Sequence, residues 1–115
     1  MLTHRLVLPE DMNQFGALFG GRLLAWVDEA SWIAASLDFP ECHFVTVAMD
    51  QVEFRHPVEA GAILAIQCER HGKGISSVTY RVTVTKGRGT DRAPIFSTCV
   101  TFVNVDGEGK KLKLP

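Results

Sequence analysis

The chain has 115 residues, 46% of them hydrophobic and 22% charged, with a formal net charge of -1. One domain of that length buries about two thirds of its unfolded surface without disulfides or metal, and the ordinary composition excludes a disordered or low-complexity protein. The near-neutral balance gives no electrostatic footprint for coating nucleic acid or an anionic membrane, so any anionic ligand has to be met by a local cluster.

Leu2 to Leu8 alternates, with Leu2, Leu6 and Leu8 set against Thr3, Arg5 and Val7, and Pro9 stops the run; this predicts a short strand. Residues 9 to 19 read as a loop in which Asp11 and Asn13 supply turn chemistry and Gly16 a positive φ. Gly20-Gly21 then stands where Ser, Thr or Asp would ordinarily cap a helix. Glycines at that point let a ligand or another backbone approach the unpaired N–H groups of the first helical turn.

The helix is predicted over about Gly21 to Leu37, with Pro40 enforcing its end. Leu23, Val27, Ala30, Ala34 and Leu37 make one apolar stripe, widened by Trp26 and Ile33 on one side and by Leu24, Ser31 and Ala35 on the other. Arg22, Ala25, Glu29, Trp32 and Ser36 are left for the outer face, and two of these are apolar, so the helix has to be enclosed on more than one side. Asp28 falls at the border of the stripe beside Leu24, Trp32 and Ala35, whereas Glu29 points about 100° away, toward Arg22 and Ser36. An ionised Asp in apolar company loses hydration and has to be paired, open to a cavity, or used. Of the two acids, Asp28 is the candidate for a cleft.

From there the period is two. His43 to Arg55 carries Val45, Val47 and Met49 on one face, then Val52 and Phe54 on the other parity, which predicts a bulge near Asp50-Gln51. Ala62, Leu64, Ile66 and Cys68 alternate with Gln67 and Glu69, and His71-Gly72-Lys73-Gly74 reads as the turn into a strand carrying Val78, Tyr80, Val82 and Val84. Lys86 to Pro94 is a glycine-rich basic loop before a last strand over Ile95 to Val105. One strand, one long helix and four antiparallel strands make an α+β single domain over residues 1–115.

Cys42, Cys68 and Cys99 are odd in number and share no ligand spacing with His4, His43, His56 or His71, so reduced thiols in a cytoplasmic setting are expected and structural zinc is not. Neither a signal segment nor a membrane-spanning apolar run is found, and neither a Gly-x-Ser-x-Gly pentapeptide nor a P-loop occurs.

Four blocks carry a resemblance: Asn13-x-x-Gly16-x-x-Phe19-Gly20-Gly21 followed by Asp28; Val45-Thr46-Val47-Ala48; Phe54-x-x-Pro57-Val58-x-x-Gly61; and Thr101-Phe102-Val103-x-Val105-Asp106. In this order, over roughly Leu8 to Pro115, they resemble the acyl-CoA hydrolase branch of the hotdog thioesterases, whose five-stranded antiparallel sheet wraps one long central helix. The chain departs from that pattern at Ala62, where the family usually has Asp, and at Gly74-Ile75-Ser76-Ser77, where Arg or Thr more often precedes the serines. Hydratases of the same fold pair an Asp with a His, and here Gly16 stands where that His would be.

The resemblance implies hydrolysis of an acyl-CoA thioester with no cofactor beyond the coenzyme A of the substrate. Asp28 would be the general base or the nucleophile, the backbone N–H of Gly20 or Gly21 would face the oxyanion, and Asn13 would orient the water or the carbonyl. Thr46, Ser76, Ser77, Arg81, Lys86 and Arg88 become candidates for substrate or coenzyme contacts. Asn13 of one chain would meet Asp28 of a dimer partner, in a homodimer with a continuous sheet assembled further into a hexamer or tetramer. A non-catalytic acyl-CoA-binding or sensing protein is the rival reading, against which the retention of both Asn13 and Asp28 argues.

Overall fold

The computed structural model describes residues 1–115 as strands β1 (Leu2–Leu6), β2 (Phe44–Phe54), β3 (Ile63–Lys73), β4 (Ser77–Lys86) and β5 (Phe96–Asn104), with one long helix, α1 (Gly20–Asp38), between β1 and β2. The five strands form one sheet in the order β1-β3-β4-β5-β2, and every pairing is antiparallel. This is the α+β architecture expected from the sequence. β1 and β2 are the edges, so each offers one side of its backbone unpaired.

Alternation decides the inner face. Leu64, Ile66 and Cys68 of β3, Val78, Tyr80, Val82 and Val84 of β4, and Phe96, Val100 and Phe102 of β5 are all buried, as their parity requires. Leu23, Trp26, Val27, Ala30, Ala34 and Ala35 of α1 cover them. The stripe is rotated from the one expected: Leu37 is 70% exposed and Ile33 is exposed as well, while Ser31 and Ala35 are wholly buried. Small side chains explain the rotation, because Ala30, Ser31, Ala34 and Ala35 allow the closest approach of helix to sheet. Ser31 tolerates burial by donating its hydroxyl to Val27 O at 2.8 Å. No helix of the chain is long and apolar enough to cross a membrane.

β1 is inverted relative to its leucines. Val7 is fully buried, whereas Leu2, Leu6 and Leu8 are exposed. The inward parity carries Arg5, whose guanidinium lies 4.9 Å over the Trp26 ring and 3.4 Å from Glu29. An arginine can cover an aromatic face while its head stays wet, so a charged residue occupies a position that hydrophobicity alone would have given to leucine. Glu29 is exposed as expected but is turned to Arg5, and Arg22 pairs elsewhere.

The segment His71-Gly72-Lys73 is strand rather than turn. A register shift between Arg70 and Gly72 leaves His71 as the extra residue, Gly72 and Lys73 still pair with Thr79 and Val78, and the reversal is made by Gly74 to Ser76. Gly74 N–H donates to Ser77 O at 2.8 Å to close it.

Asp38 ends α1, where a negative charge opposes the helix dipole. The Tyr80 hydroxyl donates to its carboxylate at 2.6 Å and Arg70 stands 3.4 Å away, with the guanidinium also 4.8 Å over the Phe39 ring. Burial first, and then the bond to Asp38, raise the Tyr80 hydroxyl pKa, and burial lifts the Cys68 thiol from 9.0 to about 11. Both groups therefore hold their protons in the fold at pH values where the unfolded chain has lost them. Their contribution is complete below pH 9 and is lost as the pH climbs, so the urea midpoint is expected to fall between pH 9 and 11. Tyr80→Phe, which removes one titrating group and a hydrogen bond to a charged acceptor, is expected to cost about 1.5 to 3 kcal/mol at neutral pH and to flatten that alkaline decline in the same denaturation series.

Candidate active site

The register of β2 aims the first candidate side chain. Thr46 lies opposite Phe102, whose ring faces the helix, so Thr46 faces the helix too. One residue later the strand bulges: Ala48 pairs with Thr101 and Met49 with Val100, leaving Val47 as the extra residue. This bulge turns Met49 inward with Thr46 and leaves Val45 and Val47 outside, which corrects the expected grouping of Val45, Val47 and Met49 on one face. The second irregularity, between Asp50 and Glu53, is the one foreseen, and Gln51 adopts φ 56 there.

On α1 the half-buried Asp28 meets Thr46, whose hydroxyl donates to Asp28 Oδ1 at 2.7 Å. No cation stands within ion-pair distance of the carboxylate. One oxygen is held and the other is free to accept a proton or attack an electrophile.

Asn13 belongs to a separate cluster. Its Oδ1 accepts from Phe15 N–H at 2.9 Å and Ala17 N–H at 3.1 Å, and its own N–H donates to Ala17 O at 2.7 Å. The amide oxygen is thus spent on the loop, and Nδ2 makes no bond within the chain. Gly16, at φ 80, permits the reversal and leaves Phe15 85% exposed. Phe19 caps the helix, so Gly20 and Gly21 form its first turn rather than preceding it. The first donors into the helix are Arg22 and Leu23, both to Phe19 O, and the Gly20 and Gly21 N–H groups are unpaired. The Phe54 ring lies against Gly20, where an added Cβ would come within 3.1 Å of it.

Helix pitch separates the two clusters. Asp28 lies eight residues beyond Gly20, which is about 12 Å along the axis, so no atom can touch both the free N–H of Gly20 and the Asp28 carboxylate of one chain. The remaining sequence candidates are dispersed as well. Ser76 and Ser77 sit at the start of β4, with Ser76 O accepting from Asn104 N–H at 2.9 Å. Arg81 lies mid-strand on the outer face opposite Glu69 and Cys99. Lys86 ends that ten-residue strand and the exposed Arg88 lies just past it, about 30 Å from the serines.

Asp11 is the residue that sequence reasoning undervalued. Its carboxylate, nearly buried, accepts from Leu8 N–H at 2.9 Å and stands 3.3 Å from Arg22, while its carbonyl accepts from Phe19 N–H at 3.1 Å. It therefore ties the Asn13 loop to the first turn of α1. The only sequence signal was an acid two residues after Pro9.

A profile of the Thioesterase superfamily matches residues 15–93. The chain belongs to this superfamily. It is 28% identical over 120 residues to an acyl-CoA thioester hydrolase of Haemophilus influenzae, covering all of this chain and 77% of that one. It superposes with a TM-score of 0.90 and 30% identity on a hexameric thioesterase of Yersinia pestis, over 98% of this chain and 93% of that one. A Staphylococcus aureus acyl-CoA hydrolase solved with butyryl coenzyme A, coenzyme A and coenzyme A disulfide matches equally, at TM-score 0.90 and 30% identity over 100% of this chain and 71% of that one; variants with a single Asn, Thr or Asp changed to Ala have been solved too.

Asp11→Ala is expected to cost about 1 to 3 kcal/mol by stranding the Leu8 N–H and Arg22. Limited proteolysis should then cut first in the loop around Phe15, and unaltered cutting there would show that Asp11 does not anchor it.

Proposed function

We propose that this thioesterase hydrolyses acyl-CoA at a site shared by two copies of the chain, Asp28 and Thr46 coming from one and Asn13, Gly20 and Gly21 from the other. The separation of about 12 Å between two chemically complementary clusters on one rigid helix carries the reading, because one copy cannot close the site and two copies can. The spacing in the Staphylococcus aureus enzyme supports it: the Asn and Asp substituted there are fifteen residues apart, as Asn13 and Asp28 are here, and its substituted Thr follows the Asp by seventeen residues where Thr46 follows Asp28 by eighteen.

Attack on the thioester carbon moves charge onto the carbonyl oxygen, and the free N–H groups of Gly20 and Gly21, at the positive end of α1, are the donors for it. Asn13 has only Nδ2 to offer, so it acts as a donor, orienting the carbonyl or the water through a water lone pair. Asp28 takes a proton from water as the water oxygen attacks; collapse of the tetrahedral species breaks the C–S bond, and the coenzyme thiolate leaves and takes up the proton. Direct attack by the carboxylate, forming an anhydride that water then opens, uses the same placement. Thr46 holds Asp28 in position in either route.

The unpaired edge of β2 and the outward Val45 and Val47 give the surface on which two copies join, and Trp32, 43% exposed with its indole N–H bonded to Phe44 O at 3.0 Å, extends that apolar surface from the helix. Assembly of such dimers into a hexamer is the form reported for the Yersinia pestis relative.

Free-thiol release from a panel of acyl-CoAs tests the activity. Asp28→Ala is expected to lower kcat by at least about a hundredfold and Thr46→Val by about tenfold with the fold intact. Mixing is the sharper test: Asn13→Ala and Asp28→Ala, each inactive alone, should regain about a quarter of wild-type activity when co-expressed, since half the dimers are hybrids and each hybrid has one intact site. Two inactive parents giving an inactive mixture of verified hybrids would place the whole site within one chain.

A further inference from the structure

Two side-chain hydrogen bonds tie α1 to β2, one above the other. Thr46 donates to Asp28 Oδ1 at 2.7 Å, and the indole Nε1–H of Trp32 donates to Phe44 O at 3.0 Å. Asp28 and Trp32 are four residues apart on the helix, about 6 Å along its axis. Phe44 and Thr46 are two residues apart on the strand, about 6.7 Å. The spacings match with helix and strand running in opposite directions, so both bonds form at once without bending either element.

The two bonds are unequal. The Trp32 bond is partly buried, whereas the Thr46 bond is exposed, where water competes for both of its partners. Little else holds Thr46 level with Asp28. β2 is an edge strand paired with β5 alone, and its ladder breaks directly after Thr46, where Val47 is the extra residue. Phe44 O points to the free side of that edge, because His43 O accepts from Val105 N–H on the β5 side and successive carbonyls of a strand alternate in direction. Trp32 supplies the donor that this edge carbonyl would otherwise lack. The Phe44 ring is fixed as well, 6.0 Å from the ring of Phe39 and 6.1 Å from that of Phe102. Phe44 is therefore pinned through side chain and carbonyl together, and Thr46, two residues on with the same parity, follows it.

We propose that Trp32 is a positioning residue for the hydrolysis, its indole N–H setting the start of β2 so that the Thr46 hydroxyl meets Asp28. The inference rests on the assignment of Asp28 and Thr46 to the reaction and adds to it the residue that aligns them. Its polar edge carries this role. Without the N–H, Phe44 O turns to water, the first residues of β2 gain freedom, and Asp28 spends less time in the orientation that Thr46 selects. The ring face, 43% exposed, stays available to a second copy, so the two parts of the side chain have separate uses.

Two replacements remove the N–H and keep an aromatic ring: Trp32→Phe, and site-specific incorporation of the benzothiophene analogue of tryptophan, which carries sulfur in place of the indole N–H. Each is expected to lower kcat for an acyl-CoA about three- to fivefold with KM changed less than about twofold, at the wild-type mass in light scattering. In a Thr46→Val background the same replacements should lower kcat no further, because the group they align is gone. Urea denaturation gives the counterpart that needs no turnover: Thr46→Val should lower the midpoint in the wild type, and by at most about half as much once the Trp32 N–H is removed. Unchanged kcat with the benzothiophene analogue, equal fractional losses in the two backgrounds, or a loss reversed by raising the protein concentration would overturn the assignment, the last by making Trp32 an assembly contact only. The two readings separate cleanly. Coupled midpoints in a protein that liberates no thiol uphold the tie and sink only the hydrolase reading; additive midpoints sink the tie whatever the turnover.

Discussion

Close packing of α1 on the inner face of the sheet is the constraint from which the rest of the molecule follows. Val27, Ala30, Ala34 and Ala35 are small enough to let the helix lie tightly over Tyr80, Phe96, Val100 and Phe102, and their burial fixes its rotation. Once the rotation is fixed, Asp28 is carried to the β2 side, Trp26 to the Arg5 side and Leu37 into solvent. Were a larger side chain to stand at Ala34 or Ala35, the helix would have to lift or turn, and Asp28 would leave Thr46 with it.

The same rigidity that positions Asp28 also isolates it. A straight helix keeps its first-turn N–H groups and a carboxylate two turns on at a fixed separation that no side-chain motion closes. The chain thus carries two polar clusters that one copy cannot bring together, and an unpaired strand edge at β2. On the proposed reading, function depends on assembly because of helix geometry, more than because of any weakness in the single-chain fold.

Most polar groups at buried or half-buried positions have partners supplied by the fold, the Ser36 hydroxyl being an exception. Asp11 has Leu8 N–H and Arg22, Asp38 has Tyr80 and Arg70, and Asn104 takes His43 N–H on its side chain at 2.9 Å. Each of these ties a loop or terminus to the core. Asp28 differs in having one donor and an open side, which marks a group available for chemistry.

The order of elements, the inward residues of β3, β4 and β5 and the span of α1 were legible from the sequence because they rest on periodicities of two and of about 3.6, which depend only on near neighbours along the chain. Asn13, Gly20, Gly21 and Asp28 stand out in the sequence as candidates for a related reason, as polar or flexible residues set against an apolar helix. The inverted face of β1, the strand character of His71 to Lys73 and the inward turn of Met49 were not, since a cation over Trp26 and two bulges are settled by strands and helices distant in sequence. The direction of the Thr46 hydroxyl likewise belongs to tertiary structure. Local pattern chooses which side chains can face inward; only the packed sheet decides which of them meet, because that depends on register and on helix rotation, and both are fixed by contacts between residues far apart in the chain.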